Sequence, residues 1–361
     1  MKKSILVAMS GGVDSSVAAC LLSRTAKVIG ITMKLWCFGE KPPGELACCS
    51  EESIEDAREV ARKLGIRHYV IDLEPEFEKE VVERFVRQYL RGLTPNPCVL
   101  CNSFVRFSSL LRKAGSLGVD SIATGHYAGL RYDPRAGRHQ LLRAKDRNKD
   151  QSYFLWGLKQ NVLAKCLFPL GELTKDEVRK LAREARLPVA GKKESQDICF
   201  AENGEYGEFL KRKLGRRIRQ GEEGPIFSEK GKRIGTHKGV VFYTIGQRKG
   251  LGIAAPRPLY VTKIDAAKNA LYVGQEEELQ KISLLADGLN LVSAASIGPE
   301  ARVLARIRYR HLPARALLVP TGTRKVKVTF EKPQRAITPG QSVVFYEGDA
   351  VLGGATIVSS A

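Results

Sequence analysis

From residue 4 to about residue 130, short apolar runs alternate with segments whose apolar positions recur at helical spacing. SILVAM precedes VAACLLSR, KVIGITMKLW precedes EESIEDAREVARKLG, and RHYVIDL precedes PEFEKEVVERFVRQYL; a further helix runs through Leu110 to Ala114 ahead of SIATG. The runs read as strands buried on both faces, and their alternation predicts a parallel sheet covered by helices on either side. Ligands of such sheets bind outside the carboxyl ends of the strands. Thr174 and Glu177 make a capping box ahead of VRKLAREAR, which adds one more helix toward residue 187.

After about residue 205 the chain turns glycine-rich, basic and irregular, with GEEGP and SEKGKR as turn-like breaks. From about residue 258 short β-rich runs recur (PLYVTKI, ALYVG, ARVLARIRY, ALLVP, KVKVTF, SVVFY, ATIV) at the spacing of an all-β barrel or sandwich. A chain of 361 residues exceeds what one core holds together. We expect an α/β domain over 1–205, a small basic domain over 206–275 and a β-barrel over 276–361.

Charge changes the picture. Lys and Arg number 59 against 39 Asp and Glu, a net of +20, far beyond what solubility requires. Residues 206–250 hold twelve basic residues against four acidic ones. Toward the C-terminus Arg302, Arg306, Arg308, Arg310, Arg315, Arg324, Lys325 and Lys327 interleave with apolar strand positions, so many of them share one sheet face. A solvated face is the plainer account of any one basic run. The overall excess favours nucleic acid as partner, through counterion release. The strand-like run from Ser4 leaves no room for a leader, and no apolar run reaches the roughly 20 residues that span a bilayer. A cytoplasmic protein with mostly reduced cysteines is expected.

Candidate chemistry begins at the end of the first strand. MSGGVDSS, Met9 to Ser16, runs straight into a helix. Glycines there let backbone N–H groups approach a phosphate at the positive end of the helix dipole, the Ser10, Ser15 and Ser16 hydroxyls add donors, and Asp14 could hold a magnesium ion. The string is neither GxxxxGK[ST] nor GxGxxG. Two glycines alone fit an ordinary tight turn equally well. SGGVDSS as a whole resembles the PP-loop of the ATP pyrophosphatases, which implies cleavage of ATP between its α and β phosphates and transfer of AMP to a substrate oxygen.

Among the eight cysteines, Cys20 and Cys166 read as core; Cys37, Cys48 and Cys49 fall in an irregular segment that suits a solvent loop or an auxiliary metal site, the loop being preferred. In NPCVLCN, Pro95 and Pro97 are expected to exclude regular helix and fix an extended corner, with Asn102 as the N-cap of SFVRFSSLLRKAG, which sets Cys101 just before a helix N-terminus, where a thiol's pKa falls. Cys199, after two lysines in KKESQDICF, is a second candidate for an activated thiol. A single CxxC is a weak zinc signal, since a closed site wants four ligands.

SGGVDSS, NPCVLCN, ATGHYA, DQSYFL, SQDICF, YTIGQRKGLG and TPGQSVVFY stand in the order seen in tRNA-specific 2-thiouridylases and span nearly the whole chain. The resemblance implies ATP-dependent thiolation at C2 of wobble uridine 34 in tRNAs for Lys, Glu and Gln. By motif, Ala8, Met9, Ser10, Gly11, Gly12, Val13, Asp14 and Ser15 would hold the ATP phosphates, with Met33 and Gly125 near the adenosine and Mg2+ as the accompanying ion. Cys199 would carry a persulfide received from a sulfur-relay protein or cysteine desulfurase, and Cys101 would release its sulfur through a transient disulfide with Cys199. Asn96, Pro97 and Cys98 would flank the target base. His126, Lys149, Asp150, Gln151, Arg308, Tyr309 and Gln341 would touch the tRNA, with Tyr127, Tyr243 and Tyr309 as stacking platforms. The plainer account of a lone His126 is a satisfied structural residue.

Cys98 departs from a familiar form of the motif, DxxC, whose carboxylate can move protons. The departure opens a second route: Cys98, Cys101 and Cys199 as three ligands of a [4Fe-4S] cluster. Two rivals of other kinds remain, a PP-loop ligase adenylating a small acid and a noncatalytic RNA-binding protein. A tRNA-dependent ATP-to-AMP assay with analysis of the anticodon nucleoside separates them.

Overall fold

The computed structural model describes residues 3–36, 51–194, 199–200, 206–214 and 222–361. Cys37, Cys48, Cys49, Arg216, Arg217 and Arg219 lie outside the described residues. Strands β1 (Ser4–Ala8), β2 (Lys27–Lys34), β3 (Arg67–Asp72), β4 (Ser121–Ala123) and, further along, β7 (Cys166–Leu167) pair in parallel in the order β3-β2-β1-β4-β7. The two-residue period of β1 explains the layers. Ile5 and Val7 face α1 (Val13–Ser23), α2 (Glu51–Leu64) and α8 (Lys175–Glu184) through Val17, Ala57 and Val178. Leu6 and Ala8 face the other way, onto Val99, Phe107 and Leu110. Those three belong to a continuous helical stretch made of α5 (Pro97–Leu100), a wide π turn over Cys101–Arg106 and α6 (Phe107–Ser116). A second such stretch joins α3 (Glu74–Phe77) to α4 (Glu83–Leu90) through a π turn at Glu78–Val82.

The middle of the chain forms a four-stranded sheet of β8 (Gly224–Ser228), β9 (Arg233–His237), β10 (Tyr260–Asp265) and β11 (Ala270–Gly274), over a core of Ile226, Val261, Leu271 and Val273. Beyond it, β12 (Gln280–Leu291), β13 (Ala301–Arg306), β14 (Ala314–Pro320), β15 (Val326–Arg335), β16 (Ser342–Glu347) and β17 (Ala350–Ser360) are antiparallel neighbours. β12 pairs with both β15 and β17, which closes a six-stranded barrel around Leu284, Leu318, Val328 and Phe345. The expected architecture, an α/β domain with a parallel sheet, a small central domain and a C-terminal β-barrel, is the one found.

An unexpected hairpin, β5 (Gly129–Asp133) with β6 (Arg138–Leu142), grows out of the α/β domain and joins the barrel where Leu142 pairs with Ala350. The barrel also shares a core with that domain. Val292, Val344 and Val351 pack with Tyr153, Leu155 and Trp156, and the Asn290 amide donates to the carbonyls of Trp156 (2.7 Å) and Leu158 (3.2 Å). Among the described residues no helix is long and apolar enough to cross a membrane.

Candidate nucleotide and thiol site

The phosphate loop is built by two glycines for different reasons. Gly11 sits at φ +72°, and a Cβ there would run into the Ser53 carbonyl; Gly125, at the end of β4, approaches so closely that a Cβ would lie 2.8 Å from the Ser15 nitrogen. Inside the loop the Ser15 hydroxyl accepts from the Ser10 N–H (3.1 Å) and donates to the Gly12 carbonyl (3.1 Å), while the Ser16 hydroxyl donates to the same carbonyl (2.8 Å). The loop is therefore shaped before any ligand arrives, at the N-terminus of the eleven-residue helix α1. Met33, near the end of β2, packs against the cores on both sides of the helix carrying Cys101.

Asp14, the second residue of α1, is already engaged. The Lys175 ammonium donates to its Oδ1 (2.7 Å) and Oδ2 (2.9 Å), and the Tyr127 hydroxyl to its Oδ1 (2.8 Å). Lys175 also pairs with Glu194 (2.8 Å), which holds Lys149 (2.6 Å) and Arg179 (3.5 Å). Burial pushes the Glu194 carboxyl up, but hydrogen bonds from Lys149 and Lys175 outweigh it and bring it down to about 2. A carboxylate has about four lone-pair sites, so Asp14 retains acceptor capacity for a magnesium ion, which normally takes one or two carboxylates beside substrate phosphates.

The cysteine helix starts earlier than its sequence suggests. Asn96, not Asn102, is the N-cap, accepting from the Val99 N–H at 3.3 Å, and Pro97 is the first helical residue, where no intrahelical bond is lost with its missing N–H. Asn102 lies inside the helix and donates to the Phe154 carbonyl (3.2 Å). Cys101 is accordingly buried beyond the first turn, where the dipole's pull on a thiol has largely faded. It sits in an apolar cluster with Phe77, Phe85 and Phe200, and half-buried Cys199 packs against that same cluster. The two thiols expected to cooperate thus border the same aromatic cluster. Cys98 is exposed. Among the described residues no three Cys, His, Asp or Glu side chains gather as a metal-holding group, so the three ligands of the cluster route are not assembled. Cys20 and Cys166 are buried as expected, and burial pushes the Cys166 thiol up to about 12.

Family models match in three consecutive pieces: a tRNA methyl transferase HUP domain over residues 3–203, its PRC-barrel domain over 207–275 and an aminomethyltransferase beta-barrel domain over 281–357. The tRNA-specific 2-thiouridylase MnmA of Pelotomaculum thermopropionicum is 49% identical over 362 residues, covering 99% of this chain and 98% of its own. That of Moorella thermoacetica is 48% identical over 358 residues, covering 99% of each chain. The chain belongs to the tRNA-specific 2-thiouridylase family. The first model's description speaks of methyl transfer and the relatives' names of thiolation; near-half identity along the full length decides for the relatives. This 2-thiouridylase is a tRNA-uridine 2-sulfurtransferase, with a nucleotide-using fold at its N-terminus.

Of the residues expected to meet tRNA, several are tied down in the 2-thiouridylase as it stands. His126 is buried with both ring nitrogens engaged, by Thr124 (2.8 Å) and Arg106 (3.4 Å), and burial, with the Arg106 charge beside it, pushes the imidazole down to about 3. This is the geometry of a structural histidine. Asp150 is fully buried: its Oδ1 accepts from the Ala144 and Ser152 N–H groups, and its Oδ2 lies 3.6 Å from Arg143 and 3.5 Å from Arg306. Gln151 accepts from the Tyr127 N–H, and the Gln341 amide donates to the Thr94 and Pro95 carbonyls (3.1 Å each), which braces the corner ahead of Cys98. Tyr127 and Tyr243 are buried and offer no face to a base; half-buried Tyr309 stands over Phe154 at 4.5 Å, beside half-buried Arg308. Lys149 is partly exposed, and Cys98 is open to solvent. Sequence reading passed over Lys175 and Glu194. The available signal was a lysine at the first position of a capped helix, the wrong sign for the dipole there.

Proposed function

We propose that this enzyme activates the C2 oxygen of wobble uridine 34 in tRNA with ATP and then replaces that oxygen by sulfur from a Cys199 persulfide. The uridine O2 attacks the α-phosphorus, the anhydride bond to the β-phosphate breaks with its electron pair on pyrophosphate, and the N3 proton passes to water. The terminal persulfide sulfur then bonds to C2 and AMP leaves. Cys101 thiolate attacks the Cys199 sulfur; the S–S bond breaks with its electron pair on the nucleoside sulfur, N3 takes a proton back from water, and C2=S and a Cys101–Cys199 disulfide remain. The sulfane sulfur gains two electrons and the two thiols lose them.

Residues Ala8 to Ser15 would hold the phosphates, with Met33 and Gly125 beside the adenosine and Asp14 on the magnesium ion, whose charge would shield the phosphates. Asn96, Pro97 and Cys98 would bound the base, and Lys149, Arg308, Tyr309 and Gln341 would lie along the anticodon arm. His126, Asp150 and Gln151 would serve that surface from beneath. A cysteine desulfurase or relay protein supplies the persulfide, and acceptors for Lys, Glu and Gln are the expected tRNAs.

The observation that carries this reading is the shared aromatic cluster of Cys101 and Cys199, beside the strand that neighbours the phosphate loop. Cys199→Ser should keep tRNA-dependent AMP formation and lose 2-thiouridine, measured by nucleoside mass analysis. Normal thiolation by that variant would falsify the mechanism.

A further inference from the structure

Lys175 is the first residue of α8, and only 7% of it is exposed. A buried ammonium at a helix N-terminus is doubly unfavourable, through desolvation and through the dipole, unless anions surround it. Its partners are Asp14 in the phosphate loop and Glu194. Lys149 and Arg179 share Glu194, and the Asp146 carboxylate accepts from the Lys175 backbone N–H (3.0 Å), so three cations meet three carboxylates. Asp14 is in turn the acid nearest the entering phosphates, since it follows Gly11, Gly12 and Val13 directly.

We propose that Lys175 is a catalytic residue of the adenylation step: on nucleotide binding its ammonium contacts the β- and γ-phosphate oxygens and offsets the charge that develops on pyrophosphate as it leaves. The residue moves no proton and forms no covalent bond. By donating hydrogen bonds and by its charge it stabilises the electron pair that the breaking α–β anhydride bond leaves on the β-phosphate oxygen. Three features fit this role. The side chain is short of water, so its charge is little screened; it is aimed by a capping box that fixes the start of α8; and it already bridges the loop to the Glu194 cluster. The Tyr127 hydroxyl holds Asp14 from the other side.

The role rests on the reading that ATP is split at its α–β bond, and the test separates the two. Inorganic pyrophosphate and AMP are titrated calorimetrically, each alone, into the full-length wild type, Lys175→Met and Lys175→Arg. Loss of a charged donor should weaken pyrophosphate binding by roughly tenfold or more in Lys175→Met while AMP affinity stays within about twofold. Lys175→Arg should retain most of the pyrophosphate affinity. With tRNA present, kcat for AMP formation should drop on the order of a hundredfold in Lys175→Met, and KM for tRNA should not move. Equal weakening of AMP and pyrophosphate, or unchanged pyrophosphate affinity, overturns the proposal. Where Lys175→Met does not fold, Lys175→Gln is titrated in its place: weakened pyrophosphate binding with AMP affinity kept supports the role, and wild-type pyrophosphate affinity refutes it. A wild type that binds pyrophosphate yet makes no tRNA-dependent AMP sinks the adenylation reading instead.

Discussion

A buried histidine shows how one residue sets pH behaviour. His126 titrates near 3 in the folded chain and near 6.5 when unfolded, so between those values the unfolded state binds more protons. Its contribution is complete above about pH 6.5 and is lost as pH falls toward 3, at up to about 1.4 kcal/mol per pH unit. Burial lowers His68, His237 and His311 in the same direction. Thermal midpoints measured from pH 7 to pH 5 should therefore fall, and His126→Gln should flatten that slope by about one proton's share. Parallel slopes for the two proteins would show that the ring is not held neutral by its surroundings. The sequence offered His126 as either a structural residue or an RNA contact. What it could not supply was the Arg106 partner and the Phe107 ring at 5.9 Å, neither of which any local pattern joins to it.

The elements show where periodicity is a sufficient guide. The parallel strands and the helices α1, α2 and α8 were legible because each buries a stripe with its own period, and the Thr174–Glu177 box formed as read. The start of the cysteine helix was not legible. Two prolines around Asn96 resemble an extended corner, and the same residues equally suit an N-cap followed by proline at the first position. The hairpin β5–β6 escaped as well, because its single pairing to β17 connects residues more than two hundred apart. A cap at a functional helix gives a test at this scale. Thr174→Ala should cost about 1 kcal/mol of stability and fray the turn that aims Lys175. The expected kinetic outcome is a raised KM for ATP with unchanged affinity for tRNA; a change in both, or in neither, would mean that the cap does not set the lysine's position.

At the scale of the whole molecule, charge and interface act together. Beside the shared apolar core, Asp150 pairs across to Arg306 of the barrel, and Arg306 is thereby removed from the exposed set that the alternating pattern suggested. Arg302, Arg315 and Lys327 do share one outward face, as their registers through Leu317 require. A chain carrying +20 releases counterions when it neutralises phosphates, so its affinity for tRNA should fall steeply with salt. We expect log K against log salt to have a slope of about −5 or steeper between 50 and 200 mM, by filter binding. ATP affinity, set among buried groups, should change far less over that range. Replacing Arg302, Arg315 and Lys327 together by Gln should make the slope shallower by about one for each phosphate they contact, without altering KM for ATP. A wild-type slope shallower than about −2 would mean that the excess charge keeps the protein in solution and does not bind the RNA; a steep slope untouched by the triple change would move the RNA off this face of the barrel and onto the basic central sheet.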